Sequence, residues 1–359
     1  MSDNTEMQVI NEYYYQTKNN YSKLSNKQKL ILKSDNDHVN TPNSLLYGEL
    51  SQTIQNFYKM DIKEIEPTTQ KINENVFEED LSIMIDELVN LYFEEVNKGR
   101  ERNIRKKFVL DYFNSYNINI QEIYNWLLNN QTSANSIYLL GYFNYYGIGI
   151  NINMINAFEL YQKAAELENI LAKYELTLMY IYGEGIDKDY NKAFELSKKL
   201  AKEYPSGINL LGYCYDIGIG TEVNEQKAFE LYQKAADLGN IHGMNNLACC
   251  YKNGIGTDFN EQKAFELYQK IADLGGSQGI NSLGCYYDGK GTDIDKQKAF
   301  ELFLKAAKLG QICAQYNLGL KYENGDGTEK NMGEAIYWYK KSAYQGDQDA
   351  QNKLKEILN

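Results

Sequence analysis

One stretch recurs along the chain at a fixed spacing, and that spacing constrains the fold more than any other feature. QKAFELYQKAADLGN, Gln226 to Asn240, returns as QKAFELYQKIADLGG at Gln262 to Gly276 and as QKAFELFLKAAKLGQ at Gln297 to Gln311. Looser copies begin at Asn156, Asn191 and Gly333. The alanine of each copy stands at Ala157, Ala193, Ala228, Ala264, Ala299 and Ala335, so successive copies lie 36, 35, 36, 35 and 36 residues apart. A sustained period in this range marks a repeat architecture, in which one supersecondary unit is copied and stacked.

Each of six units is expected to open with a first helix, such as NLLGYCYDIG at Asn209 to Gly218 or YNLGLKYENG at Tyr316 to Gly325. A Gly-x-Gly turn follows, at Gly147/Gly149, Gly183/Gly185, Gly218/Gly220, Gly254/Gly256, Gly289/Gly291 and Gly325/Gly327. A second helix carries the QKAFELYQKAA signature, and a Leu-Gly pair often closes it, as at Leu238-Gly239 and Leu274-Gly275. The turn glycines end one helix and permit positive φ. Ala228, Ala235, Ala236 and Gly212 allow close helix approach, while Phe229, Leu231 and Tyr232 supply buried area. Helices this short are marginal alone in water, so stacking of neighbouring hairpins must complete the core. The fold class is therefore all-α.

The pattern Leu-Gly-x-x-Tyr-x-x-Gly-x-Gly, then Lys-Ala, Lys-Ala-Ala and Gly, stands in the third unit as Leu211, Gly212, Tyr215, Gly218, Gly220, Lys227, Ala228, Lys234, Ala235, Ala236 and Gly239. It resembles the Sel-one-like repeat (SLR), a relative of the tetratricopeptide repeat, and six registered copies make the match specific. The resemblance implies an α/α right-handed superhelical solenoid acting as an adaptor. Two departures stand out: unit two has Thr177 where glycine is expected, and unit five is one residue short before its Gly-x-Gly. A narrower resemblance concerns LLYGELSQTIQNFYKMDIKEIEP, LVNLYFEEVNKG and EIYNWLLNNQ. These stretches are similar to the segment that joins a protein kinase domain to SLR repeats in a set of fungal proteins. No Gly-rich loop, His-Arg-Asp or Asp-Phe-Gly is present, so kinase activity is not carried over.

The expected organisation is a disordered polar tail over 1–44, a helical N-terminal region over 45–130, six repeats over 131–348 and a C-terminal capping helix over 349–359. Helices are expected from Leu45 to about Met60, over the Leu81–Val96 pattern that stops at Gly99, from about Asn103 to Tyr116, and over Glu122 to Asn130. The basic cluster Arg100, Arg102, Arg105, Lys106 and Lys107 reads as a solvated helix face. Pro205 reads as a break between units two and three, and with Thr177 it makes that region the expected point of first unfolding.

Composition narrows the function. The net charge is -12 over 359 residues, which argues against nucleic-acid and anionic-membrane partners. No run approaches the ~20 apolar residues of a membrane helix, the start lacks a secretory pattern, and a cytoplasmic location follows as the default. The five cysteines are odd in number and lack CxxC spacing. Cys249 and Cys285 occupy equivalent positions, which stacked helices hold about 8–10 Å apart, beyond disulfide reach; free thiols are expected. Two histidines leave little basis for a metal site or triad. The run Gly284 to Lys290 fits the start of a phosphate loop, but Gly291 replaces the required Ser or Thr and no strand precedes it. Asn20 and Asn130 sit in glycosylation sequons that matter only in a secreted chain. No cofactor and no catalytic residue are expected.

A binding role remains. In the first helices, the stripe opposite Leu211, Gly212 and Tyr215 runs through Tyr138, Tyr142 and Tyr145; Asn209, Tyr213 and Asp216; Asn245, Cys249 and Lys252; Asn281, Cys285 and Asp288; Tyr316, Leu320 and Glu323. In tetratricopeptide-like superhelices this stripe lines the concave surface. Tyr and Asn there suit an extended peptide, giving aromatic area and amide hydrogen bonds to its backbone. The expected binding residues are Tyr142, Asn209, Tyr213, Asp216, Asn245, Lys252, Asn281, Asp288, Tyr316 and Glu323. Their acids, with the net charge, favour a basic ligand. The functional expectation is a non-catalytic scaffold for a peptide or protein; the alternative is a regulator acting on a protein kinase in trans.

Overall fold

The computed structural model describes residues 70–290 and 294–358. The expectations for the tail, for a helix over Leu45 to Met60 and for Gly291 lie outside these residues. Among the described residues all regular structure is helical. An N-terminal set comprises α1 (Gln70–Asn97), α2 (Arg102–Ser115) and α3 (Ile120–Asn129). Six hairpins follow: α4 (Ala134–Tyr146) with α5 (Met154–Glu166), α6 (Ile170–Tyr182) with α7 (Tyr190–Leu200), and α8 (Pro205–Ile217) with α9 (Glu225–Asp237). The next are α10 (Ile241–Asn253) with α11 (Glu261–Asp273), α12 (Ser277–Cys285) with α13 (Lys296–Lys308), and α14 (Ile312–Asn324) with α15 (Met332–Tyr344). The last helix, α16 (Gln348–Leu358), packs on α15. Each second helix touches the first helix of the next hairpin, and the hairpins stack into an α/α superhelix.

The repeated letters each have a contact. Gly147, Gly183, Gly218, Gly254 and Gly325 end their first helices in the left-handed conformation, with φ between 63° and 78°. Three residues before each signature Lys or its equivalent, an Asn or Asp caps the second helix. Asn224, for example, accepts from the Lys227 amide at 2.9 Å, which satisfies one orphan donor of the first turn. Seams between hairpins are built from a Phe of one second helix meeting a Tyr of the next first helix edge to face. Phe194–Tyr215, Phe229–Tyr251 and Phe300–Tyr322 have centroids 5.5, 5.4 and 5.3 Å apart. The lysine of the second-helix signature then lies over that tyrosine: Lys227 over Tyr215 at 4.2 Å and Lys298 over Tyr287 at 3.9 Å. Ring pairs of this kind add about 0.5–1.5 kcal/mol beyond their area.

Three expectations change. Pro205 does not interrupt the stack; it occupies the first turn of α8, where a missing amide costs nothing and its fixed φ suits the helix. Thr177 is accommodated in unit two by a change in its partner. In units one, three, five and six glycine at this position admits a second-helix ring, as Gly212 admits Tyr232 and Gly284 admits Phe303, and unit four has the small Ala248 there. In unit two the ring is replaced by Ser197, which is fully buried beside Cys214 at 3.4 Å. The larger Thr177 is thus matched by a smaller partner. The most continuous core spans α1 through α8, and two smaller clusters serve the later hairpins. This division makes the C-terminal hairpins, rather than unit two, the expected point of first unfolding. Unit five, one residue short, leaves its first helix through a five-residue π turn, Tyr286–Lys290, where Gly289 takes φ 132°. The run from Gly284 is thus helix and π turn, with no strand-to-helix phosphate loop. All five cysteines are free thiols.

Candidate binding site

Helices α1 and α2 form an antiparallel pair laid on the first-helix face of the stack. Apolar residues anchor it: Leu81, Ile85, Leu88 and Tyr92 of α1 and Val109, Tyr112 and Phe113 of α2 are buried. Tyr92 packs on Tyr142 of α4 at 5.2 Å, edge to face. Tyr142 is consequently fully buried and belongs to the interior, a departure from its expected place on an open binding stripe. Stripe position alone could not reveal this, because the covering helix lies outside the repeats.

The basic cluster also departs from expectation. Arg105 is 2% exposed and Glu175 of α6 is 0% exposed, with Nη1 and Oε1 at 3.6 Å. Arg105 also donates to Tyr92 Oη at 2.9 Å and to the Arg100 carbonyl at 3.0 Å. Burial pushes the Glu175 carboxyl above its usual range, although Arg105 and Arg102 pull it back down. Arg102 donates to Tyr145 Oη at 2.7 Å and pairs with Glu184 at 3.6 Å. Lys106 donates to the Tyr146 carbonyl at 3.1 Å. Lys107 alone keeps the exposed role expected of the group. Glu175, Tyr145, Glu184 and Tyr146 sit 40 to 82 residues downstream, so no local pattern announces them.

Beyond repeat two, the turn joining α1 to α2 reaches the seams of later repeats. Asn240 Nδ2 donates to the Asn97 carbonyl at 2.9 Å, and the Ile241 amide donates to the Lys98 carbonyl at 2.9 Å. Ser206 Oγ donates to Asn97 Oδ1 at 2.9 Å. Arg100 Nη1 donates to the Leu274 carbonyl at 2.6 Å, and Asn103 Nδ2 to the Leu309 carbonyl at 2.7 Å. Glu101 Oε1 accepts from the Ser277 amide at 2.8 Å and from Ser277 Oγ at 2.6 Å. Gly99 has φ 68°, and a Cβ there would fall 2.8 Å from the His242 amide nitrogen. The close backbone approach therefore requires glycine. Two sequence signals mark this turn: seven consecutive polar or glycine residues from Asn97 to Asn103 between apolar helices, and Gly276 where Asn240 stands one repeat earlier.

His242 lies beside this turn, and its imidazole pKa is pushed down from 6.5 to about 4. Burial disfavours the cation, Arg105 and Arg102 add like charge, and a backbone hydrogen bond with Arg100 opposes them. Because the folded state favours the neutral ring, this contribution is complete above pH 6.5 and is lost as pH falls through 6.5 toward 4. Between pH 7 and pH 5 the wild type is expected to lose about 1–2 kcal/mol more than His242→Gln, measured by urea unfolding. Equal losses would show that the ring is not held neutral.

Tyr138 and Tyr145 are buried as well, whereas the stripe residues of repeats three to six are half-buried and much engaged. Asp216 accepts from Tyr232 Oη at 3.0 Å, and Glu323 accepts from Tyr339 Oη at 2.6 Å and pairs with Lys353 at 3.0 Å. Asp288 pairs with Lys296 at 2.9 Å and with Lys321. Asp288 and Glu323 are thus neutralised by the protein's own lysines, which weakens the expected bias toward a basic ligand and leaves Asp216 as the stripe acid without a countercharge. Tyr316 stacks obliquely on Tyr339 at 5.6 Å. Asn209 Oδ1 accepts from Asn246 Nδ2 at 2.9 Å, and Asn281 Oδ1 from Asn317 Nδ2 at 3.1 Å. These bonds orient both amides through their oxygens. Tyr213, Asn245 and Lys252 lie on the same half-buried stripe. An open groove of about 390 Å³ lies elsewhere, between α5 and α7; its lining mixes Glu166, Glu168 and Glu195 with Lys173, Lys192 and Lys199. Among the described residues no helix is long and apolar enough to cross a membrane, and no cluster of His, Cys, Asp and Glu could hold a metal.

Comparison with known proteins places this geometry. The family described as Sel1 repeat matches residues 134–169, 170–203, 205–240, 241–276, 277–311 and 314–347, more than half of the chain. A Sel1 repeat protein from Oxalobacter formigenes is 26% identical, with a TM-score of 0.53 over 62% of this chain and 92% of its own. A protective antigen of uropathogenic Escherichia coli displaying an SLR fold is 25% identical over 78% of this chain and 67% of its own, with a TM-score of 0.44. DAP3-binding cell death enhancer 1 of Rattus norvegicus is 41% identical over 46 residues, which span 13% of this chain and 9% of that protein.

Proposed function

Because this chain belongs to the Sel1 repeat family, whose members are generally protein-interaction scaffolds, we propose that it is a non-catalytic adaptor. It holds an extended segment of a partner protein on the first-helix face of repeats three to six. The supporting observation is the half-buried Asn–Tyr stripe, above all Asn209 and Asn281, whose amides are oriented by their oxygens so that Nδ2 is available to a ligand carbonyl. Equivalent positions on packed helices recur at about 8–10 Å, and an extended strand advances ~3.3 Å per residue. One repeat therefore meets roughly every third ligand residue. Repeats one and two are excluded from this surface because α1 and α2 cover them.

The test begins with recovery of partners by affinity capture from native extract and mass spectrometry. A protein kinase dominating the recovered partners would favour the regulatory reading over a general adaptor. Against the partner so identified, Asn245→Ala combined with Asn281→Ala is expected to weaken binding ten-fold or more, since losing a buried amide partner costs roughly 1–3 kcal/mol. Unchanged affinity with an intact helical circular dichroism signal would place the site elsewhere.

A further inference from the structure

We propose that the loop edge of repeats three and four is a docking surface, and that its occupant is the chain's own lysine-rich segment, Lys18–Lys33. The surface begins with apolar side chains left uncovered at the same place in successive hairpins. An apolar residue just before a helix cap ordinarily packs on the fourth residue of that helix. Here the fourth residue is Ala228 in α9 and Ala264 in α11, each small and already fully buried. Val223 and Phe259, which precede the two caps, are left 58% and 64% exposed, and Ile294 at the same place in repeat five is 65% exposed. Single apolar side chains on a surface are ordinary, but neighbouring ones form a patch that water does not favour. The loops that carry Val223 and Phe259 adjoin. A Cβ on Gly220 would fall 2.3 Å from the Tyr190 carbonyl oxygen, and one on Gly256 would fall 2.2 Å from that of Glu225. Each turn thus rests on the first residue of the preceding second helix, and the exposed side chains share one edge of the stack.

Charge selects the occupant. Glu222 and Glu225 bracket Val223, Asp258 and Glu261 bracket Phe259, and all four acids are exposed. None of them joins an ion pair among the described residues. The lysines of the same helical turns are engaged elsewhere: Lys227 lies over Tyr215 at 4.2 Å and Lys263 over Tyr251 at 4.8 Å. Acids near a helix N-terminus also favour the helix itself, but the apolar side chains beside them gain nothing from exposure. An edge that alternates acids with apolar groups complements a segment that mixes lysines with aliphatic side chains. Lys18–Lys33 has this chemistry: five lysines, no acid, and Leu24, Leu30, Ile31 and Leu32, in a chain of net charge -12. The segment precedes the described residues. Residues 34–69, thirty-six in all, join it to the start of α1 at Gln70. Such a length spans up to about 120 Å, more than the ~60 Å of six hairpins stacked at about 10 Å each, so the edge is within reach.

This edge is separate from the Asn–Tyr stripe, so failure here leaves the adaptor reading standing. The probe is a fluorescent peptide of residues 18–33, with blocked ends, added to the full chain. Changing Lys18, Lys23, Lys27, Lys29 and Lys33 of the full chain to glutamine frees the edge. The peptide is expected to bind this variant at least ~10-fold more tightly than the wild type. Adding Val223→Ser and Phe259→Ser to that variant is expected to abolish the gain, and both sites are exposed enough for the fold to tolerate the change. Equal binding to wild type and lysine variant, a gain that survives the serine substitutions, or no binding to either would overturn the proposal. Carbodiimide coupling of the dilute wild type, read by mass spectrometry, needs no variant. Links from the lysines of residues 18–33 to Glu222, Glu225, Asp258 or Glu261 within one chain are expected. Links found only between labelled and unlabelled copies in a mixture would give the segment to a second copy and overturn the intramolecular assignment.

Discussion

Arg105→Met is expected to destabilise the protein by about 3–5 kcal/mol in urea unfolding, because it strands the fully buried Glu175 carboxylate without its countercharge. The loss is larger than a surface charge could produce, since an exposed side chain changed in isolation shifts stability by about 0.5 kcal/mol or less. Lys107→Ala, from the same basic run but on its exposed side, supplies that comparison. Arg105→Met combined with Glu175→Leu is expected to recover much of the loss, because two apolar groups need no pairing in a dry interior. Equal losses for the single and double variants would mean that Arg105 contributes through its packing on Tyr92 and not through Glu175. The pair carries a structural role: it joins α2 to repeat two and so fixes the base from which the Asn97–Asn103 turn projects.

Phe303→Ala is the second large effect. The ring is 1% exposed and lies against Gly284, where a Cβ would come within 2.8 Å of Cε1. Emptying this site is expected to cost about 3–5 kcal/mol. In a solenoid each repeat contacts only its neighbours, and the cores of the later hairpins are separate from the large one spanning α1 to α8. The loss should therefore appear as an early unfolding step of the C-terminal hairpins. Hydrogen exchange on Phe303→Ala is expected to show lost protection in α11 to α16 while α4 to α8 keep theirs. A single cooperative transition, with protection falling evenly along the chain, would show that the three clusters behave as one.

The comparison of letters and contacts explains what could be read in advance. The turn glycines, the second-helix signature and the six-fold period were legible because each acts within one hairpin or between adjacent ones. Gly212 and Tyr232, or Phe229 and Tyr251, lie within 25 residues of each other and recur in register. The departures of units two and five were visible as letters, but their outcome was not. Thr177 needed Ser197 to be seen as its matched partner, and the shortening of unit five gave no sign of the π turn that ends its first helix. The stripe residues were identifiable as a face, yet their engagement was hidden. Asp216, Asp288 and Glu323 read as open acids until Tyr232, Lys321 and Tyr339 were seen to take them.

What the sequence determined by itself is the hairpin, its stacking and hence the α/α superhelix, because these depend on local periodicity and nearest-neighbour burial repeated six times. Only the tertiary structure decided which part of that superhelix is covered. Arg105 with Glu175, Glu101 with Ser277 and Asn103 with Leu309 each join residues 70 to 206 apart, with no period linking them. A polar group in an isolated stretch reads as solvated, since water is the default partner of any charge. It becomes a contact only when folding brings a second polar group to it and excludes the water between.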